Sequence, residues 1–271
     1  MKEPLLKLEN IAVGYNGRPL YSEVNDSVES GSLVAFLGEN GAGKSTLLRS
    51  IAGRLKPLAG DVKIAGTDIA GLSRRKMALT VSIVATGNTL AGALTVTELV
   101  SLGRQPHTGF FGRLSERDRR ITREAIAFTG MTPLAHRQVA TLSDGERQKV
   151  MIARALAQET PVMLLDEPTA FLDVASRLET LQLLATLARE EDKIIIFSTH
   201  DVSSALRLAS RLWLLEPSAG SDASTSSPHH SFIAGPPSSL IASGHLARLF
   251  PDRAVNFDPV SLDFLPQEIQ N

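Results

Sequence analysis

A glycine-rich stretch near the start of the chain constrains its fold more than any other feature. Residues 38–46 read Gly-Glu-Asn-Gly-Ala-Gly-Lys-Ser-Thr and fit the pattern G-x-x-x-x-G-K-[ST]. The all-apolar run Leu33 to Leu37 precedes the stretch and predicts a buried strand. A helical pattern follows it, with one apolar face made of Leu47, Leu48, Ile51, Ala52 and Leu55. Strand, glycine turn and helix in this order predict a loop that binds phosphate groups.

The residues of this stretch have distinct expected roles. Its glycines let the backbone wrap around phosphates with successive N–H groups pointing inward, and the helix N-terminus adds partial positive charge. We expect Lys44 to reach the β- and γ-phosphates of a nucleotide and the Ser45 hydroxyl to hold Mg²⁺. The predicted nucleotide-binding residues of the stretch are Gly38, Asn40, Gly41, Gly43, Lys44, Ser45 and Thr46.

Length, charge and cysteine content exclude several classes of protein. The chain has 271 residues, which predicts one large domain or one domain with a subdomain. A net charge of −1 provides no global basic field for nucleic acid, and the absence of cysteine removes disulfides and thiolate zinc sites. No run of about 18 apolar residues exists, and the first residues do not have the composition of a signal peptide. We therefore expect any membrane role to depend on a partner.

Three apolar runs predict parallel strands that each end in polar residues. Leu33–Leu37 ends in the glycine stretch, Val162–Leu165 ends in Asp166-Glu167, and Ile194–Phe197 ends in Ser198-Thr199-His200. Unbroken apolar runs suit strands that are covered on both faces. Because ligands bind beyond the carboxyl ends of strands in an open parallel sheet, we expect these polar groups to converge on one nucleotide.

The two acids after the second run predict a metal ligand and a general base. Asp166 has the placement of a Walker B aspartate, which holds Mg²⁺ directly or through water. Glu167 lies one residue further out and can polarise the attacking water. The alternative for both acids is a helix cap or a loop charge. His200 at the end of the third strand can sense or bridge the γ-phosphate, although a lone histidine is more often structural.

The remaining segments predict a mixed α/β organisation. The expected elements are short strands with an Asn16-Gly17 turn in residues 5–30, strands at Asp61–Ala65 and Leu79–Ala85, a helical subdomain at about 90–159, a helix Val174–Arg189, a strand Leu212–Leu215, a flexible loop at about 217–230, and a short strand near Phe232. The helix is expected to bury one stripe made of Val174, Leu178, Leu181, Ala185 and Ala188.

The sequence allows two interpretations for each of several motifs. Tyr15 is either a half-buried strand aromatic or a surface for adenine stacking. The charge run at residues 115–120 is either a solvated helix face or a nucleic-acid contact, and His229-His230 is either solvated or a metal site. Leu142–Glu146 is either a helix start with a capping box or a second phosphate-binding helix N-terminus that serves another ATP across a dimer interface.

Together these motifs resemble the ATP-binding cassette (ABC) ATPases over about residues 5–250. The segments that carry the resemblance are Gly38–Thr46, Leu142–Glu146 (the family signature, usually Leu-Ser-Gly-Gly-Gln), Val162–Glu167, Phe171–Asp173 (the D-loop, unless Asp173 only caps the next helix), His200 and Tyr15. The resemblance implies a P-loop NTPase fold, α/β with a mostly parallel core sheet, an N-terminal antiparallel β-subdomain and a helical subdomain. It also implies a cassette domain over residues 1–250, followed by a C-terminal tail at 251–271.

The family resemblance implies a mechanism as well. Two cassettes close as a homodimer around two ATP molecules with Mg²⁺, and Ser143 and Gly145 of one copy face the ATP held by the other. Glu167 and His200 are the implied catalytic residues. The implied partners are integral-membrane permease subunits and, indirectly, a substrate-binding protein, with no nucleic acid. The implied location is peripheral, on the cytoplasmic face of the plasma membrane.

Two positions depart from the family pattern. The family's Q-loop glutamine should fall near Thr86, and none is present in residues 83–88. Thr86 or Asn88, or a water molecule, is expected to take part of its role. In the signature, Asp144 and Glu146 replace the usual glycine and glutamine; two acids favour the helix dipole but repel a nearby γ-phosphate.

The segment Val96 to His107, with Ser115 and Asp118 downstream, resembles ATPases of iron-chelate, haem and cobalamin importers. It implies ATP-driven uptake of a metal chelate through a separate permease. The alternatives are a soluble ABC ATPase of DNA repair or translation, another P-loop enzyme such as a small-molecule kinase, and a regulatory ATP-binding module that is not coupled to transport.

Overall fold

A computed structural model describes residues 4–85, 93–109, 111–217, 230–250 and 255–266. Its strands are β1 (Leu6–Tyr15), β2 (Arg18–Val28), β3 (Leu33–Gly38), β4 (Ala59–Ile64), β5 (Thr67–Asp68), β6 (Val81–Val84), β7 (Val162–Leu165), β8 (Ile194–Ser198), β9 (Arg211–Pro217), β10 (His230–Gly235), β11 (Val255–Asp258) and β12 (Asp263–Pro266). Its α-helices are α1 (Lys44–Ile51), α2 (Arg74–Ala78), α3 (Val96–Ser101), α4 (Glu116–Phe128), α5 (Asp144–Ala157), α6 (Val174–Glu190), α7 (Val202–Leu208) and α8 (Pro237–Ala242). None of the helices in these ranges has the length and apolar character needed to cross a bilayer.

The central sheet has six strands in the order β10-β9-β3-β8-β7-β6. Every neighbouring pair from β9 to β6 is parallel, and only β10 runs antiparallel to its neighbour. Strands β3, β7 and β8 are buried along their whole length, because helices or a second sheet cover both faces. This arrangement confirms the predicted fold class, and it confirms the strands predicted from the three apolar runs.

A second sheet is antiparallel, with the order β2-β1-β4-β5. The predicted turn is confirmed: Asn16 and Gly17 join β1 to β2 with φ of 52° and 75°. The short strands predicted for residues 5–30 are instead two long strands whose pairing shifts register near Ile11 and Val13. Those irregularities break the alternation of apolar and polar residues, which made one long strand look like fragments.

A buried carboxylate fastens the antiparallel sheet to the central sheet. Asp26 on β2 accepts hydrogen bonds from Arg211 Nε at 2.7 Å and from the indole N–H of Trp213 at 2.6 Å. The Trp213 ring packs edge-on against Phe36 of β3. Apolar side chains therefore fill the space between the two sheets, while a separate cluster lies under the helices on the other face of the central sheet.

Two helix predictions need correction. Helix α1 ends at Ile51, so Leu55 lies beyond it and is only half-buried. On α6 the predicted stripe divides: Val174 is 71% exposed and Leu178 43% exposed, whereas Leu181 and Ala188 are buried. Periodicity shows which residues share a helix face, but it does not show that the first turns of that face on α6 are left exposed.

The predicted strands around β4 and β6 have shifted or shortened bounds. β4 begins two residues before Asp61 and ends at Ile64. Leu79 is the C-cap residue of α2, so the strand predicted from Leu79 begins only at Val81. The difference reflects a short helix that an apolar run alone does not distinguish from a strand.

The charge run at residues 115–120 is not a purely solvated face, because Asp118 is buried. The N-terminus of α4 has a capping box in which Ser115 and Asp118 bind each other's backbone. Arg104, also buried, donates from Nε to Asp118 Oδ1 at 2.9 Å and from Nη1 to the Ala157 carbonyl at 2.6 Å and to Glu159 at 2.7 Å. The network ties the segment after α3 to the start of α4 and to the end of α5.

The C-terminal strands β11 and β12 form a hairpin that packs on α7. The Phe264 ring lies edge-on to Phe250 and to Phe257, and Ser203 Oγ donates to the Leu262 carbonyl at 3.0 Å. Strands β9 and β10 flank the predicted loop as expected. Residues 218–229 of that loop, including His229, lie outside the described residues.

Candidate functional site

The three polar strand ends meet at one edge of the central sheet. The parallel register pairs Phe36 of β3 with Ser198 of β8, and Leu165 of β7 with Phe197 of β8. The residues that follow β3, β7 and β8 are therefore neighbours in space, as the strand pattern predicted. The phosphate-loop sequence and the two acids lie at this edge.

The glycine stretch rests against Tyr21 of the antiparallel sheet. The Tyr21 hydroxyl donates to the carbonyl oxygen of Gly43 at 2.9 Å, and the ring is fully buried. Gly43 has φ of 102°, and a Cβ added there would lie 2.8 Å from the ring. A side chain is therefore excluded twice at this position, by backbone conformation and by the tyrosine.

Lys44 is buried at the first turn of α1. Its ammonium donates to the carbonyl oxygens of Gly38 at 2.7 Å and Glu39 at 2.9 Å. Burial lowers the pKa of Lys44, and the carboxylates of Glu167, Asp166 and Glu39 oppose that shift. The two carbonyl oxygens accept hydrogen bonds from two of its three N–H donors, so the third donor can bind a phosphate oxygen.

The other predicted residues of the loop have different exposures. Asn40 and Gly41 are exposed at the tip of the turn, Ser45 is half-buried, and Thr46 is buried. The Tyr15 hydroxyl lies 3.4 Å from Thr46 Oγ1, and 47% of Tyr15 is exposed. An exposed ring that is anchored to α1 suits either interpretation of Tyr15, so its role in stacking stays a prediction.

The residues after β7 and β8 form a connected polar group. His200 Nε2 lies 2.7 Å from Glu167 Oε1. The Ser198 hydroxyl donates to Asp166 Oδ1 at 2.7 Å and accepts the Glu167 backbone N–H at 2.8 Å. Glu167 has a left-handed backbone with φ of 47°. The structure thus brings Asp166, Glu167 and His200 together.

An open cavity of about 590 Å³ lies beside Glu167 and His200. Arg177, Asp201 and Phe264 of the C-terminal hairpin are also among its lining residues. Arg177 Nη1 lies 3.6 Å from Asp201. The carboxylate and imidazole therefore face a space that is large enough to admit water and part of a ligand.

The helix α5 begins with the predicted capping box. Ser143 Oγ accepts the Glu146 backbone N–H, and the Glu146 carboxylate accepts both the Ser143 N–H and its hydroxyl. The Ser143 backbone N–H and then its hydroxyl lower the pKa of Glu146. Asp144 pairs with Arg147 at 2.7 Å, which offsets the negative charge expected from the altered signature. The role of Ser143 toward a second ATP stays a prediction.

Close packing against α6 within the same chain explains why position 145 is a glycine. A Cβ added at Gly145 would lie 2.8 Å from Ser176 Oγ on α6. The same Ser176 donates its backbone N–H and its hydroxyl to Asp173, the N-cap of α6. Asp173 is the N-cap of α6, as its alternative interpretation held, and Phe171, which is 93% exposed, precedes it; a D-loop role stays a prediction. Ser176 therefore lies between Gly145 and Asp173 and links the start of α5 to the N-cap of α6.

The residues proposed for Mg²⁺ supply suitable oxygen ligands. The described residues contain no group of three or more His, Asp or Glu side chains that could enclose a metal ion. Mg²⁺ is usually held by one or two carboxylates together with substrate phosphates rather than by a complete protein cage. The hydroxyl of Ser45 and the carboxylate of Asp166 fit that pattern.

Two contacts of the site were missed from the sequence, and two positions cannot be placed. Ser198 was recognised only as a polar strand end, and its hydroxyl bridge depends on the strand register. Tyr21 carried no sequence signal, because it looks like any strand aromatic. Thr86 and Asn88, named as substitutes for the Q-loop glutamine, lie outside the described residues.

The chain matches a known protein family and is similar to a protein of that family. The profile of the family described as "ABC transporter" matches residues 21–170. The iron(3+)-hydroxamate import ATP-binding protein FhuC of Bacillus subtilis is 41% identical over 204 residues, which span 75% of this chain and 76% of that protein. The family match at residues 21–170 includes the glycine stretch, Leu142–Glu146 and Asp166-Glu167.

Two solved structures have a fold similar to that of this chain. A putative metal-chelate type ABC transporter in an inward-facing conformation matches with a TM-score of 0.77 and 27% identity, covering 97% of this chain and 95% of that chain. A dimeric ATP-binding cassette in a post-hydrolysis state with bound ADP and Pi matches with a TM-score of 0.66 and 30% identity, covering 77% of this chain and 93% of that chain.

Proposed function

Since this chain belongs to the ABC transporter family, we propose that it is the ATP-hydrolysing subunit of an importer for metal chelates. Proteins of this family are ATPases, and this chain is an ATP-binding member of it. The proposal adds the substrate class, the residues that act, and the membrane partner. Its nearest competitor is an ABC-type ATPase that is not coupled to transport.

The observation that carries the proposal is the contact between His200 and Glu167. Their Nε2 and Oε1 atoms lie 2.7 Å apart at the edge of the sheet where the phosphate loop begins. A general base must lie within hydrogen-bond reach of the water that it activates, directly or through an aligned partner. Glu167 would take a proton from the attacking water, and His200 would orient that carboxylate and bind the γ-phosphate.

Lys44 and the start of α1 would hold the phosphates in place. The Lys44 ammonium has one N–H donor beyond the two that are hydrogen-bonded to the carbonyl oxygens of Gly38 and Glu39. The N-terminus of α1 directs backbone N–H groups toward the loop. Bound Mg²⁺ would neutralise charge that develops on the β- and γ-phosphates. Ser45 and Asp166 would be its ligands, and Tyr15 would stack on the adenine.

We place the complete site between two copies of the chain. Ser143 and Gly145 lie at the N-terminus of α5, which would contribute positive dipole to the ATP held by the partner. The solved dimer with ADP and Pi supports this arrangement by similarity. The Ser143 hydroxyl proton would have to leave Glu146 to reach a phosphate, because the capping box uses it.

The permease would contact the segment from α3 to His107. This segment resembles the permease-facing part of chelate importers, and the similarity to a hydroxamate importer and a metal-chelate transporter supports the same class. The chain would then act as a peripheral subunit on the cytoplasmic face of the plasma membrane. A substrate-binding protein would deliver the chelate from the other side.

Hydrolysis by Glu167→Gln tests the catalytic part of the proposal. We expect its ATPase rate to fall by about 10²–10⁴-fold, the usual contribution of a general base, while ATP-dependent dimers persist. Glu190→Gln is the matched control, because Glu190 is an exposed carboxylate at the end of α6. A Glu167→Gln protein that hydrolyses at the parent rate would place the base elsewhere.

Uptake into proteoliposomes tests the transport part. Membrane subunits captured by tagged Glu167→Gln protein would be identified, and the same subunits reconstituted with the parent chain, using ⁵⁵Fe-hydroxamate, haem and cobalamin as separate probes. We expect ATP-dependent accumulation of one of the three probes and none with Glu167→Gln. Full ATPase activity without membrane subunits, and without accumulation of any probe, would favour the uncoupled ATPase.

A further inference from the structure

We propose that Ser198 is a positioning residue that aligns the metal-binding carboxylate with the general base. Ser198 follows the apolar run of β8, and neither the motifs nor the function proposed above gives it a role. The inference rests on that proposed function, because it concerns the same edge of the sheet. It adds a residue that would touch neither ATP nor water.

The strand register brings Ser198 beside Asp166. Leu165 of β7 pairs with Phe197 of β8, so the next residue on each strand is a direct neighbour. Ser198 is fully buried, and its hydroxyl donates to Asp166 Oδ1 at 2.7 Å. That hydrogen bond to one oxygen restricts the rotation of the Asp166 carboxylate.

The same hydroxyl accepts the backbone N–H of Glu167 at 2.8 Å. Glu167 has φ of 47°, a conformation that residues other than glycine seldom adopt without supporting contacts. That backbone turn directs the Glu167 side chain to His200. Ser198 therefore fixes the direction of the proposed base without contacting its carboxylate.

One hydroxyl can serve both neighbours because it has one proton and two lone pairs. The Ser198 hydroxyl donates one hydrogen bond to Asp166, and a lone pair of its oxygen accepts the hydrogen bond from the Glu167 backbone N–H. A partner that orients a metal ligand typically contributes about 10–100-fold to metal affinity or activity. We expect an effect of that size when the hydroxyl is removed.

The competing explanation is that Ser198 only satisfies buried polar atoms and stabilises the fold. Ser82 on β6 provides the control for that explanation. It is also buried in the central sheet, 1% exposed, and its hydroxyl accepts from Thr160 Oγ1 at 2.9 Å. Ser82→Ala removes a buried serine hydroxyl of the same sheet without touching Asp166 or Glu167.

The experiment compares Ser198→Ala with Ser82→Ala in the full chain. ATP hydrolysis gives kcat and KM, and Mn²⁺ binding in the presence of ATP is followed by electron paramagnetic resonance. For Ser198→Ala we expect kcat to fall by about 10–100-fold and Mn²⁺ to bind more weakly, while KM for ATP changes by less than about twofold. For Ser82→Ala we expect kcat and the Mn²⁺ affinity of the parent protein.

A shape-matched pair covers the case in which Ser198→Ala does not fold. Ser198→Thr keeps the hydroxyl, and Ser198→Val replaces it with a methyl group of similar size. We expect Thr to restore kcat and Mn²⁺ binding and Val to behave like Ala. Equal kcat and Mn²⁺ affinity for Thr and Val, or for Ser198→Ala and Ser82→Ala, would overturn the inference. In either case the response of Glu167→Gln separately decides whether the proposed ATPase mechanism holds.

Discussion

Replacing Arg104 by methionine should destabilise the fold by several kcal/mol. Arg104 is 1% exposed and Asp118 is 6% exposed, so their ion pair is almost fully removed from water. The guanidinium also donates to the carbonyl of Ala157 and to Glu159. Removing one partner of a buried ion pair costs about 3–5 kcal/mol, because the other charge stays buried without compensation.

The contacts that survive place Arg104→Met near the lower end, at about 3 kcal/mol. Asp118 keeps the backbone N–H and hydroxyl of Ser115, and the Glu159 side chain is 35% exposed and can be rehydrated. What the variant loses is the charge partner of Asp118 and the donor to the Ala157 carbonyl. Methionine retains most of the arginine stem, so the change in packing is small.

Urea unfolding followed by far-ultraviolet circular dichroism measures this free energy difference. Arg123→Met is the control, because Arg123 is 64% exposed and its contact with Glu116 spans 3.3 Å at the surface of α4. An exposed pair contributes about 0–1 kcal/mol. Equal losses for Arg104→Met and Arg123→Met would refute the reasoning that the buried network holds the three segments together.

The pH dependence of the unfolding free energy tests the same ion pair, Arg104 with Asp118, at acidic pH. The Ser115 hydroxyl, aided by its backbone N–H and by Arg104, lowers the pKa of Asp118 from its usual 3.8 to about 2. Because the folded pKa lies below the unfolded one, this stabilisation is complete above about pH 5 and is lost as the pH falls toward 2. The stability gap between the parent protein and Asp118→Asn should therefore narrow on acidification. A gap that is unchanged down to about pH 3 would contradict the assignment.

Three further substitutions test other parts of the site. Lys44→Ala should abolish tight ATP binding, because the phosphates lose their fixed positive partner; equilibrium dialysis that finds the parent affinity would reject this role. Ser143→Arg, made in the Glu167→Gln background, should block ATP-dependent dimers by crowding the partner's γ-phosphate, and dimers in sedimentation velocity would rule out that contact. Gly103→Ala should lower stability by about 1–3 kcal/mol, because its Cβ would overlap the carbonyl oxygen of Arg154, and an unchanged Tm would refute that clash.

Features that depend on neighbouring residues could be predicted from the sequence. The apolar runs of β3, β7 and β8 identify strands covered on both faces, and the residue spacing of Ser143 and Glu146 identifies a capped helix start. The Asn16-Gly17 turn is a local conformational preference. The placement of Asp166 and Glu167 beside the phosphate loop followed from the rule that parallel strands end at one edge.

Features that depend on distant segments could not be predicted in the same way. Nothing in the charge run at residues 115–120 indicates that its aspartate meets a buried arginine from the segment after α3. The exposure of Val174 depends on which segments of the folded chain pack against the first turn of α6. The bridge from Ser198 to Asp166 requires the register of two strands that are joined through α6. Each of these contacts is a property of the assembled chain.

The buried tyrosine beneath the phosphate loop has a consequence for shortened versions of the protein. Tyr21 belongs to the N-terminal sheet, yet its hydroxyl bonds to Gly43 and its ring fills the space where a side chain at that position would go. A fragment that starts at β3 would retain every residue of the glycine stretch but lose the surface that shapes it. We therefore expect such a fragment to lose ATP binding even though it keeps every residue of the glycine stretch that is proposed to contact the phosphates.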